Sequence, residues 1–533
     1  MNSNYSIPFS LTNVSAVAVA AIDASKTATV GSNLNQSLWA GVGVFARGKP
    51  FKALKVTKSN YMDVLGDPIR PQEGSHFEPM RHVYEAVQQT DGYVVRVVPD
   101  DAKFPIISFT KESSSTGVIN AVPSNSALAY GQKTELKDKQ FLMIYPVDGD
   151  PSTNRSISFT PDKTNPNRLT LTLKETSKLG TVTVLENIVV SLNSDEMDAM
   201  GRPCFITTAL ESRSAYLGAT CDLTAAEGVN LGNIADVKFT GGTNGDQTKI
   251  TDEQYAKAIE VLNNANVNYT AVLGLGCYST ASYTLLGDIC QDRRIDGFFD
   301  IKPTLTYAEA LTEMESTGLV GVDYVSCSMY HFPFTCKDKW TQARVAYGLS
   351  GAAYAAKARG IALNTDVGGW HYSPAGETRA LINRAQLEPI DGIGTPDFDA
   401  MYTARINKVA TSSTGQMIID DALTTYSEEN YLRFQHVSST FDAISRFFFQ
   451  LGRKLKHQPD GVTEESLTRE MTKVLERFHA AGALVTPRDP ETDGTAPFIL
   501  VVKQVEVDYW SVTWWACPTG SARRLLGKPV VIR

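Results

Sequence analysis

The chain has 533 residues, 42% of them apolar and 20% charged, so it holds material for several buried cores and lacks the composition of a disordered protein. Acids outnumber bases by 58 to 50, for a formal net charge of −8, and no basic domain stands out of the kind that tracks a nucleic-acid backbone. The seven cysteines form no C-x-x-C pair, which points to reduced thiols and away from a disulfide framework.

Residues 1–25 read as an N-terminal arm. Ile7, Phe9 and Leu11 alternate with Pro8 and Ser10, and Val17 and Val19 follow at the same spacing, a period-two strand signal. Pro8 argues against a central strand. A strand with so few local partners is suited to adding to another sheet, in its own chain or a neighbour's. The apolar run Val14 to Ile22 has no Lys or Arg before it and is too short to span a bilayer. The expectation is a soluble protein, made in the cytoplasm and not secreted, with no membrane insertion.

Residues 26–111 begin an α/β unit: a glycine-containing buried strand over Leu38–Phe45, a short strand at Leu54 and Val56, a helix over Glu78–Gln88, and a β-branched strand over Tyr93–Val98. Between 112 and 235, loop signals separate short alternating runs such as Ser156–Phe159 and Leu169–Leu173, which predicts an inserted β-rich domain. Residues 236–380 return to strand–helix alternation. Thr251 with Gln254, and Thr306 with Glu309, form capping boxes. Strands are expected at Tyr269–Leu275, Ile295–Ile301 and Val322–Ser326, and a long helix from about Lys337 to Gly360. This alternation implies a parallel sheet covered on both faces. The predicted fold class is therefore α/β: an interrupted doubly wound core with an inserted β-rich domain. A C-terminal α+β domain (381–520) follows, with helices near 428–456 and Thr463–Ala481 and strands near Phe498–Val502 and Val505–Val507. Residues 521–533 form a second, basic arm that ends in Val530, Val531 and Ile532, so both ends of the chain carry short, strand-like apolar pieces.

No catalytic, cofactor-binding or metal-ligating residue is assigned. Gly41, Gly43 and Ala46 fit a dinucleotide fingerprint, but Gly48-Lys49-Pro50 breaks the helix it needs. Cys327, His331 and Cys336 lack a fourth ligand for a closed zinc site. His371, Ser373 and Glu377 lie close in sequence without a nucleophile elbow. The basic cluster Arg446, Arg453, Lys454, Lys456 and His457 reads as a solvated helix end, and Asp420-Asp421 and Glu428-Glu429 as solvated or helix-terminal acids. Trp510, Trp514 and Trp515 at strand spacing read as sheet core or subunit interface.

In the order of its segments the chain resembles the contractile tail sheath family. The resemblance is carried by Gly41-Val-Gly-Val-Phe-Ala-Arg-Gly-Lys-Pro-Phe51, by Lys55-Val-Thr-Lys-Ser-Asn-Tyr-Met-Asp-Val-Leu-Gly66, by Gly92-Tyr-Val-Val-Arg-Val-Val98 and by the turn Gly241-Gly-Thr-Asn-Gly245. The stretch Cys327–Cys336 and the sequence around Trp370 depart from it. The resemblance implies a structural subunit without enzymatic activity or cofactor, polymerising with itself as stacked hexameric rings in a helical array. Its implied partners are a tail tube protein and baseplate and tail terminator proteins, with no direct nucleic-acid contact. It further implies assembly in a host cytoplasm into a virion tail whose contraction drives the tube through the host envelope for genome ejection. An α/β enzyme with an accessory β domain, or another virion or baseplate component, remains the alternative.

Overall fold

The structure is a computed structural model that describes residues 37–521 and 523, apart from 74–75, 114–118, 138, 152–153 and 178. The arm residues Ile7, Phe9, Leu11, Val530, Val531 and Ile532 lie outside the described residues. The fold is mixed α/β, with several sheets.

A seven-stranded sheet organises the molecule. Its strands run Ile406–Asn407, Cys327–His331, Asp296–Ile301, Ala271–Leu273, Trp39–Val44, Gly92–Val97 and Ala53–Val56. Every neighbouring pair is parallel except the last, in which Ala53–Val56 runs against Gly92–Val97. Helices Asp252–Asn264, Thr280–Arg293 and Tyr307–Ser316 cover one face through Ile259, Leu262, Leu286, Ile289 and Met314. Helices Glu78–Val87 and Ser350–Ile361 cover the other through Met80, Val83 and Tyr354. Both expected capping boxes form. Gly43 is needed where a helix crosses its strand, because a Cβ there would lie 2.9 Å from Cβ of Pro79.

Local expectations fail at three places. Residues Val322–Ser326 are a loop, and the strand is the next segment, Cys327–His331. Its Ser328 and His331 are fully hidden, so it carries none of the β-branched run that marks a buried strand. The long helix expected from Lys337 begins only at Ser350, after two short strands, Phe334–Lys337 and Arg344–Ala346. Asp338 takes a bidentate ion pair from Arg81 and the Thr341 N–H, which turns the chain away from a helix. Downstream, Asp300 accepts the N–H groups of Leu349 and Ser350 and starts the helix there. The helix near 428–456 likewise begins at Gln435.

The β-rich unit draws in residues from Lys103, earlier than 112, because Lys103–Ser113 pairs with Ile119–Ala129 and Gln140–Pro146. A five-stranded and a four-stranded sheet close over a core of Ile107, Phe109, Leu142, Ile157, Phe159 and Leu171. At the other end, Ile406–Asn407 pairs with Cys327–His331, so the segment after 380 supplies an edge of the central sheet.

Arg96, fully buried in its strand, fastens the place where the chain leaves for the β-rich unit and returns from it. Its guanidinium donates to the carbonyls of Phe45 (2.8 Å), Gly48 (2.7 Å) and Gly149 (2.9 Å), and to Asn244 Oδ1 in the glycine turn. A Cβ on Gly149 would lie 2.3 Å from the Gly48 oxygen, so the two segments touch backbone to backbone. Beside them Arg155 pairs with Asp148 and Asp150, and Arg47 with Asp150 and Glu175. Replacing Arg96 with Ala leaves several carbonyls without a donor and is expected to cost about 3 kcal/mol. Thermal unfolding measures that loss, and limited proteolysis is expected to cut near 99–102 and 241–245 in the variant before it cuts elsewhere.

Candidate assembly surface

Open parallel sheets bind ligands beyond the carboxyl ends of their strands, and polar groups do converge there. Ser350 Oγ lies 3.0 Å from His82 Nδ1, and His82 Nε2 lies 3.8 Å from Glu78 and 4.0 Å from Asp300. Their order imitates a nucleophile, a base and its acids. All are sealed from solvent, however, with Ser350 and His82 at 0% exposure. Each also has structural work: Asp300 starts a helix, His82 Nδ1 accepts the Gly351 N–H, and Glu78 accepts the Tyr278 hydroxyl. The cluster locks a helix onto the strand ends.

The motifs singled out in the sequence are likewise absorbed by packing. His331 bonds Leu305 O through Nε2 at 3.1 Å and meets the Tyr307 ring edge-on, while Cys327 and Cys336 are buried apart from it. Among the described residues, no three His, Cys, Asp or Glu side chains are placed to hold a metal ion. His371, Ser373 and Glu377 do not combine: Glu377 spends its oxygens on Ser413, and His371 Nδ1 is buried without a partner among the described residues. Gly41 sits in a strand against Leu275 and opens no helix.

Sequence reasoning missed a buried polar belt that joins the central sheet to the C-terminal helices Gln435–Leu455 and Asp460–Ala480. Ser439 donates to Asp296 at 2.9 Å, and Ser326 bridges Ser438 and Asp442. Arg446, read as part of a solvated helix end, is buried there, donating to Arg294 O and lying over the Trp370 ring at 4.7 Å. Lys357 donates to the carbonyls of Trp370 and Tyr372. Burial pushes the Asp296 carboxyl up to about 6 and pulls the Lys357 ammonium down to about 8, each partly offset by the other's charge. The Trp370 region thus departs from expectation because it serves as a wall of this belt.

What the fold leaves open lies at its C-terminal end. Phe498–Glu506 and Tyr509–Ala516 form a hairpin whose two edges pair with no other strand among the described residues. One face packs down: Trp514 is buried against Phe448, with Leu500 and Val512 beside it. The other face turns outward with Ile499 and Val501 exposed, and at the tip Val505 and Val507 are exposed to 51% and 88%. A free-edged hairpin with an apolar outer face is a template for strand addition. Below it Asp421, read as a solvated acid, is buried and takes both Nε and Nη2 of Arg523, at 2.6 and 2.7 Å. The root of the C-terminal tail is thereby tied to the body.

No protein-family model and no curated protein matches the chain. Solved structures do. The sheath tail protein of Listeria innocua aligns over 91% of this chain and 96% of its own, at 10% identity and a TM-score of 0.52. That of Desulfitobacterium hafniense aligns over 91% and 98%, at 11% identity and a TM-score of 0.48. The helical sheath of the anti-feeding prophage in its contracted state aligns over 98% and 99%, at 11% and 0.48. The likeness is one of fold, and the Listeria structure carries it: this chain has the fold of a sheath tail protein.

Three histidines are expected to make the fold sensitive to acid. Burial holds His331 and His371 down to about 4, and His436 to about 3; the charges of Lys357 and Arg379 add to the effect on His371, and those of Lys357 and His371 to that on His436. The unfolded chain takes up these protons below about 6.5, so stability is full above that pH and declines as pH falls towards 4. Urea unfolding at pH 7.5 and pH 5 is expected to show a loss on the order of 1 kcal/mol for each of His331 and His436, and His331→Gln is expected to flatten the dependence.

Proposed function

We propose that this chain is the sheath subunit of a contractile injection machine. The observation that carries the reading is the sheath fold spanning almost the whole chain; the sealed strand ends of the central sheet speak against the α/β-enzyme alternative. In this reading the interrupted, doubly wound core moves as a rigid body. The β-rich insertion, taken as 112–235 with its first strand reaching back to Lys103, faces outward. The C-terminal unit, 381–520, presents the hairpin.

The subunits stack as six-fold rings around a tail tube, between a baseplate and a tail terminator. The arms at 1–25 and 521–533 add strands to the free edges of neighbouring hairpins, with Ile7, Phe9, Leu11, Val530, Val531 and Ile532 as the residues that engage. Backbone hydrogen bonds across such a sheet persist while the bodies rotate and slide, which lets a lattice shorten without falling apart. The machine is a phage tail, assembled in a host cytoplasm and carried on the virion, whose contraction drives the tube through the host envelope for genome ejection. No nucleotide or metal takes part, and the energy of contraction is the difference between two packings of the same subunit.

Negative-stain microscopy of the concentrated protein is the direct test. Long, hollow, striated tubes are expected; closed rings or trimers would instead make it another virion component. Deleting residues 1–20, or residues 526–533, is expected to leave a folded subunit with an unchanged melting temperature that forms no tubes. Tubes from both truncations would remove the arm assignment.

A further inference from the structure

A cleft of about 670 Å³ opens between the end of helix Ser350–Ile361, strand Ala385–Pro389 and the turn around Gly415. Three arginines line it, and they are not equivalent. Arg384 is spent: it grips Glu85 through Nε and Nη2, at 2.8 and 3.0 Å, and also donates to Tyr347 O and Gly348 O. Arg359 and Arg379 have no carboxylate partner among the described residues. Arg359 donates through Nε and Nη2 to a single carbonyl, Arg379 O, and keeps Nη1. Arg379 donates only Nε, to Ser373 O at 3.3 Å, lies over the Tyr372 ring, and keeps both terminal nitrogens. The nearest acid in sequence, Glu377, is spent on Ser413. Burial without a neutralising acid pulls the Arg359 guanidinium below its ordinary value, in line with a site that gains from an incoming anion. Beside the two guanidiniums the wall is apolar: Leu381 is 41% exposed, and Leu387 and Met417 flank it.

The same chain carries a complementary shape. At the hairpin tip, Glu506 and Asp508 alternate with the exposed Val505 and Val507. Neither acid has an ion pair among the described residues, although the protein has acids in excess. The tip matches guanidiniums set beside an apolar wall, since Arg379 offers both terminal nitrogens to one carboxylate and Arg359 its remaining Nη1 to the other, while the valines meet the wall at Leu381. We propose that the cleft of Arg359 and Arg379 receives the Glu506–Asp508 hairpin tip of a second copy of this chain, a contact distinct from strand addition along the hairpin edges. It rests on the reading that the chain assembles with itself.

Two charge reversals test it. Arg359→Glu with Arg379→Glu, and separately Glu506→Arg with Asp508→Arg, are each expected to weaken self-association in low salt by roughly tenfold or more. Joining all four in one chain is expected to restore most of it. The tip substitutions fall on exposed residues, and an unchanged melting curve checks the fold of each variant. As a second measurement, Thr378→Cys paired with Val507→Cys is expected to give a disulfide-linked dimer on oxidation that neither cysteine gives alone. Reversed variants that associate like the unaltered chain, four substitutions no better than two, or the absence of the linked dimer would each overturn the contact. Tubes formed by the reversed variants would sink this contact and leave the sheath reading standing. A linked dimer from a chain that forms no tubes would do the opposite.

Discussion

A guanidinium buried among carbonyls, with hardly any water to share its charge, is stable only where the backbone around it is held still. Arg96 is such a group: its acceptors belong to the turn after the first strand, a loop of the β-rich unit at Gly149 and the returning segment at Asn244. Burial alone pulls it below its ordinary value, and the nearby phenol and acids only partly offset that. Three chain segments far apart in sequence therefore share one electrostatic anchor. The interrupted connectivity of the fold depends on it, since an insertion joined at a loose hinge would let the parallel strands on either side drift apart.

The second junction, between the central sheet and the C-terminal helices, is built differently. There the belt of Asp296, Asp442, Arg446, Lys357 and the serines Ser326, Ser438 and Ser439 sits under a cover of Trp370 and His436. Such a network adds little net stability compared with an apolar interface of the same volume, but it tolerates only one register, because a slip of one helical turn would strand several charges in a dry core. The C-terminal unit is thus held in one orientation relative to the sheet.

Sequence reasoning reached what local chemistry dictates. Thr251 with Gln254 and Thr306 with Glu309 announced helix starts that are present, and the β-branched strand at Tyr93–Val98 lies in the sheet within a residue of its expected place. It failed where a distant partner overrides local preference. Cys327–His331 becomes a central strand because its neighbours on both sides demand pairing, not because its residues favour it. Lys337–Leu349 reads as helix until Arg81 and Asp300 are seen to claim its turns. The two junctions were invisible for a related reason: Arg96 looks like one polar interruption in an apolar run, and Arg446 like a member of a surface cluster. The outward hairpin face was half visible, since the aromatic spacing of Trp510, Trp514 and Trp515 suited either core or interface, and the structure uses Trp514 for core.

The tie between Arg523 and Asp421 sets a length. Seven peptide links separate Arg523 from Val530, and a fully extended chain covers at most about 3.6 Å per residue, or roughly 25 Å in all. While that tie is closed, residue 530 cannot lie farther than this from the Arg523 backbone. In the proposed sheath this pair is the fixed end of a short leash: two bodies joined through the tail turn about the anchor but do not separate beyond its span without first pulling a guanidinium off a buried acid.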